Sequence, residues 1–157
     1  MNYLLASICI LLLLVILFFV GLLFFRSYTT QHSTSQEIFL RGTIPDELPS
    51  GQLSGSVTFE TNWKGKKFDQ GSQTGINTFE ENGTLVEKYP FKTYVAKGLK
   101  DPNLDVIKIE YDIPQNPFWL RWVLDEIVEV KPGEFLGKVH LRLGFFSFAL
   151  GYFKLTQ

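Results

Sequence analysis

Residues able to do chemistry are sparse in this chain and scattered along it. There are two histidines, His32 and His140, and one cysteine, Cys9. His32 sits in a Ser/Thr/Gln-rich stretch and is expected to be solvated. His140 falls between Lys138 and Arg142 on the polar parity of a strand pattern, which predicts a surface histidine rather than a ligand or a base. Two histidines and a lone cysteine exclude a His-rich or Cys-based metal centre and a disulfide within these residues. No metal site is predicted, no cofactor is named, and a carboxylate site for a hard cation stays open.

Asp125 and Glu126 are adjacent, so on a strand they face opposite sides and cannot form an acid/base couple by themselves. Glu126 shares parity with Trp122, Leu124 and Val128. On an internal face it would need a cationic partner, with Arg121 and Arg142 as the candidates. The simpler expectation is an exposed carboxylate at a strand entrance. The nucleophile-elbow, phosphate-loop and dinucleotide patterns do not occur. Lys64, Lys66 and Lys67 crowd one turn-like stretch, read as a solvated hairpin tip or, functionally, as a contact for anionic lipid head groups. An enzyme reading therefore ranks below a binding role.

Aromatic residues are the more informative set, with 15 Phe, 6 Tyr and 3 Trp. Asn116–Trp122 holds Phe118, Trp119 and Trp122, which either pack a barrel end or form an exposed patch facing lipid or a membrane partner. Phe118 and Trp119 cannot both point inward from a strand. Gly144–Phe148 could line a cavity or plug one.

Three kinds of segment must position these residues. Tyr3 to Phe25 is uncharged, and about 23 helical residues span roughly 34 Å, enough to cross a bilayer core. Its length, the absence of a basic start and the poor cleavage context at Phe24-Phe25-Arg26 argue for a retained anchor over residues 1–26 rather than a cleaved leader. Arg26 weakly favours a cytoplasmic location for the C-terminal domain. Residues 27–50 read as a polar, flexible linker, with Ile38-Phe39-Leu40 able to dock on the domain. From 51 to 157 the period is two: Val57, Phe59, Thr61 and Trp63; Phe91, Thr93 and Val95; Ile107, Ile109, Tyr111 and Ile113; Val139, Leu141 and Leu143. Turn signals separate these runs, Asn82-Gly83 being the strongest and Trp63–Lys66 another. The expectation is a mainly β domain, an antiparallel barrel or curved sheet of about eight strands, with a short helical turn near Phe118 running into a strand.

Asn62–Phe68, Tyr111–Pro114 and Leu150–Leu155 together resemble the calycin-like barrels, which include the lipocalins and the small proteins named after a Gly-x-Trp-x-Gly motif. Thr61 stands where that motif has its first glycine. The resemblance covers residues 51–157 and implies a small β-barrel enclosing an apolar ligand. It also implies that Trp63 closes the barrel base with Arg142 packed over it.

These observations lead to two functional expectations. The first is a membrane-tethered binding module for a hydrophobic small molecule, a lipid or pigment, with Phe59, Trp63, Phe91, Ile109, Tyr111, Leu141 and Phe148 as cavity candidates. The second is an accessory subunit of a larger integral-membrane complex, with Lys64, Lys66, Lys67, Phe118 and Trp119 meeting lipid or a partner. A net charge of −1 and the lack of a basic patch argue against nucleic acid.

Overall fold

The structure, a computed structural model, describes residues 2–157. Helix α1 covers Asn2–Gln31. Its span Tyr3–Gln31 is long and apolar enough to cross a membrane. Between Tyr3 and Phe25 its side chains are exposed, with Leu23 half-buried. A short helix, α2, comes next at Thr34–Leu40, with the Ser33 hydroxyl accepting from the Gln36 amide at its start.

Eight strands then form a closed antiparallel barrel in which each pairs with its sequence neighbours. They are β1 (Gly51–Ser56), β2 (Trp63–Asp69), β3 (Thr74–Glu81), β4 (Thr84–Lys97), β5 (Asp105–Glu110), β6 (Val123–Lys131), β7 (Glu134–Leu143) and β8 (Phe146–Thr156). A 3-10 turn at Leu120–Trp122 leads into β6, as the aromatic stretch predicted. This architecture is compatible with a calycin-like barrel. Leu53, Phe68, Phe91, Ile107, Ile109, Ile127, Phe135, Phe153 and Leu155 pack its interior, and Ile44 and Leu48 pack against them from the segment before β1.

Two sequence expectations change here. Residues 27–50 are not a loose tether. Ser27 and Thr30 are buried, Phe39 is fully buried, and Thr43 bridges to Glu129 on β6. Short hydroxyl side chains, read as the mark of a flexible linker, instead cap α2 and bond to the barrel. The second change concerns the first strands. Val57–Asn62 is a loop, the strand before it is the Gly/Ser-rich β1, and the expected turn at Trp63–Lys66 is the start of β2. A bulge between Trp63 and Gly65 reconciles these. Gly65 has φ +132, and a Cβ there would collide with the Leu53 carbonyl oxygen, so only glycine fits.

The barrel closes over a short seam. β1 meets β8 from Ser54↔Thr156 to Ser56↔Lys154 and then leaves it. Beyond that point α1 takes over. The Ala149 amide donates to Ser27 Oγ at 3.0 Å, and Arg26 Nε donates to the Leu150 carbonyl at 2.6 Å. These bonds occupy β8 backbone groups past the end of its pairing with β1. Phe24 adds edge contacts to Phe148 and Phe146, with centroids 5.1 and 6.2 Å away.

Candidate functional site

Strand parity puts Lys66 beside Phe68 and Asp125 beside Ile127, all facing the barrel interior. Lys66 Nζ donates to Asp125 Oδ2 at 3.0 Å, to Asn77 Oδ1 at 2.9 Å and to the Tyr111 hydroxyl. All three ammonium protons are used. The Tyr111 hydroxyl donates to Asp125 Oδ2 at 3.1 Å and accepts from Asn77 Nδ2 at 3.1 Å. Trp63 Nε1 donates to Asn77 Oδ1, also at 3.1 Å. The rings of Tyr111, Phe153, Phe91 and Trp63 surround Lys66 Nζ at 5.1–5.6 Å from their centroids, a favourable setting for a desolvated cation.

Burial lowers the Lys66 pKa, and the neighbouring Asp125 carboxylate works against that shift. Burial, reinforced by Asp125, pushes the Tyr111 hydroxyl well above its ordinary value, so it stays a protonated donor. The layer is neutral overall and internally bonded. Its donor protons are all spent within the layer or on the Tyr89 carbonyl, which leaves Asp125 Oδ1 to meet a polar group.

This layer floors a cavity of about 670 Å³. Trp63, Phe79, Tyr89, Trp119, Leu120, Val123 and Val139 wall it, with Val57 and Phe59 from the loop before β2. Arg26, Thr29 and Thr30 of the α1 end, Ser33 at the start of α2, and Leu150 and Gly151 of β8 complete the lining. The cavity therefore reaches the place where β1 has left β8 and α1 has replaced it.

A second buried polar cluster lies on the barrel's outer wall. Opposite parity from Asp125 puts Glu126 there, with Lys108 and Lys138 directly across on β5 and β7. Glu126 Oε1 accepts from Lys108 Nζ and from the Leu99 amide at 2.6 Å, and its Oε2 lies 3.0 Å from His140 Nε2. Burial opposes ionisation of Glu126, but bonds and charge from His140 and Lys108 outweigh it and hold its pKa at about 2. Lys138 bonds Asp101 and Gln31 Oε1, and lies 4.4 Å from the Phe39 ring centroid. The Tyr152 hydroxyl and Gln36 Oε1 are 2.5 Å apart. This cluster fastens α1, α2 and the β4–β5 loop to the wall. The predicted surface positions of His140 and Glu126 are thereby corrected: both are fully buried, and the partners of Glu126 are Lys108 and His140, not Arg121 or Arg142.

Of the cavity candidates, Phe59, Trp63 and Tyr111 line it. Phe91 and Ile109 are packed in the core beneath. Phe148 is taken up by Phe24, and Leu141, its partner in register, is half-buried outside the lining. Trp63 and Arg142 do not form a closure pair. Trp63 packs edge-on against Phe153, while Arg142 is held by Glu110, with Nη1–Oε2 at 2.8 Å, and by the Arg121 carbonyl.

Lys64 and Lys67 are exposed and pair with Glu80 and Glu87 at 2.8 and 2.9 Å. Lys66, expected beside them at a tip, is only 2% exposed inside the barrel. Phe118 and Trp119 are exposed at 70% and 49%. Sequence reasoning passed over Asn77 and gave Lys66 the wrong place. The usable signal was the parity Lys66 shares with Phe68; the bulge between Trp63 and Gly65 is what lets Trp63 and Lys66, three positions apart, both face inward.

Among the described residues no group of His, Cys, Asp and Glu is arranged to hold a metal ion. Comparison with family models, curated proteins and solved structures finds no match for this chain.

Proposed function

We propose that this chain is a membrane-tethered binding module that holds an uncharged, largely apolar small molecule, such as a lipid or pigment, in its barrel. The observation that carries the reading is the cavity of about 670 Å³, aromatic-walled and floored by a charge-neutral polar layer. Such a site has the size and lining of a small-molecule pocket. A neutral floor lets an apolar body approach without stranding a buried charge, while Asp125 Oδ1, which no bond within the layer uses, can accept from a hydroxyl on it. The calycin-like architecture supports the same reading, as does a cavity that opens beside an apolar helix. Helix α1 crosses the bilayer, and Arg26 at its end favours the barrel on the cytoplasmic side.

The test is native mass spectrometry of the full chain released from membranes in mild detergent. A bound apolar mass is expected. It should be lost from Val139→Trp, which fills the cavity, while that variant keeps its β-sheet circular dichroism. An empty wild-type barrel that also stays empty after incubation with total membrane lipid overturns the reading.

A further inference from the structure

We propose that the end of the barrel from which α1 emerges lies in the surface of the bilayer, with Phe59, Phe118, Trp119, Trp122, Phe145 and Phe146 inserted among the lipid head groups. The proposal rests on the reading of α1 as a membrane span and deepens it.

Topology brings the six residues to one end. β1, β3, β5 and β7 finish there, so the loop after β1 (Phe59), the link after β5 (Phe118 to Trp122) and the turn after β7 (Phe145) all project from it. All six side chains are exposed, from 48% at Trp122 to 106% at Phe145. A soluble surface rarely gathers so much apolar area without an occupant.

The direction of α1 identifies that occupant. Phe24 touches Phe146, Ser27 meets Ala149, and Gln36 of the next helix meets Tyr152. The helix thus runs alongside β8 in the same direction, and its apolar residues before Phe24 project beyond the aromatic end. From Tyr3 to Phe24, about 21 steps of 1.5 Å give roughly 32 Å, the thickness of a hydrocarbon core. The lipid boundary therefore falls at Phe24–Phe25, with Arg26 just outside it. Phe146 packs on Phe24 and lies at the same depth. Trp119 and Trp122 at this level match the aromatic belts of membrane interfaces, and phenylalanine is among the side chains that interfacial segments bury at the head-group boundary. The α1–β8 bonds fix the barrel against the helix, so this orientation does not depend on a free tether.

Phe145 is fully exposed, so Phe145→Trp reports on position without disturbing packing. The full chain carrying it is reconstituted in phosphatidylcholine vesicles with and without dibromo acyl chains, beside wild type. Flotation confirms that α1 is inserted. The emission added by the new tryptophan is expected to be blue-shifted and largely quenched by bromines placed near the head group. Part of the wild-type emission, from Trp119 and Trp122, should be quenched as well. Floating protein whose added emission is red-shifted and unquenched overturns the docking while leaving the anchor intact, and assigns the aromatic end to a protein partner. Failure to float overturns the anchor and the docking together.

Discussion

Lys66 Nζ and Asp125 Oδ2 are 3.0 Å apart inside the barrel, although β2 and β6 are not neighbours in the sheet. The pair crosses the lumen and sets the height at which the packed core ends and the cavity begins. Lys66→Met leaves a buried carboxylate without its counter-charge, and a loss of about 3–5 kcal/mol is expected. Asp125→Leu should cost a similar amount. The double variant should be more stable than the sum of the two losses predicts. Denaturant unfolding in detergent checks this; strictly additive losses would show that the two groups do not act as a pair.

Acid should act mainly on the outer wall. Glu126 is held at about 2 in the folded chain, against about 4.3 for an unfolded glutamate. Its stabilisation is complete above the unfolded value and lost as pH falls toward the folded one, amounting to about 3 kcal/mol. Melting temperatures between pH 5 and 2 should fall steeply in wild type and less steeply in Glu126→Gln. Equal slopes would contradict the assignment.

Alkali should act on the lumen. The Tyr111 pKa is raised, so its contribution is intact below the unfolded value of about 10 and is lost as pH climbs above it. In an absorbance titration Tyr111 and Tyr152 of the native protein should both ionise late, and Tyr111→Phe should shrink that delayed step by one tyrosine. The same variant should lose about 1–3 kcal/mol at neutral pH, because Lys66 and Asp125 each lose a buried partner.

The seam between α1 and β8 is open to a local test. Ser27→Ala removes the acceptor for the Ala149 amide, which is buried there. Leaving that donor unpaired should cost about 1–3 kcal/mol. Amide exchange at Ala149 should accelerate, while amides inside the β6–β7 ladder keep their protection. Uniform acceleration along the barrel would point to global loosening instead.

Much of this architecture was legible before folding was considered. An uncharged run from Tyr3 to Phe25 can hardly be anything but a lipid- or core-seeking helix, and alternation in β4 to β7 marks strands with two unlike faces. The opposed faces of Asp125 and Glu126 came from adjacency alone. Polar parity misled where a later cover exists. Lys138, Glu126 and His140 read as solvent-facing because nothing in their own strands reveals that α2 and the β4–β5 loop lie over them. Lys66 was obscure for a related reason: a lysine facing a barrel interior makes sense only with Asp125, 59 residues away, brought opposite. Phe148 alternates like a cavity residue, but its ring is claimed by Phe24 across the whole length of the domain.

The α1–β8 bonds carry a consequence for how the molecule is made. They join positions 122 and 124 residues apart. At about 5–20 residues per second, roughly 6–25 s separate synthesis of the two partners. The hairpins from β2 to β7 are local and can form during that interval, whereas closing so long a loop must wait. When β8 is made, it finds β1 for three residue pairs and α1 for the rest. The anchor is thus a template already standing in place, against which the barrel is finished.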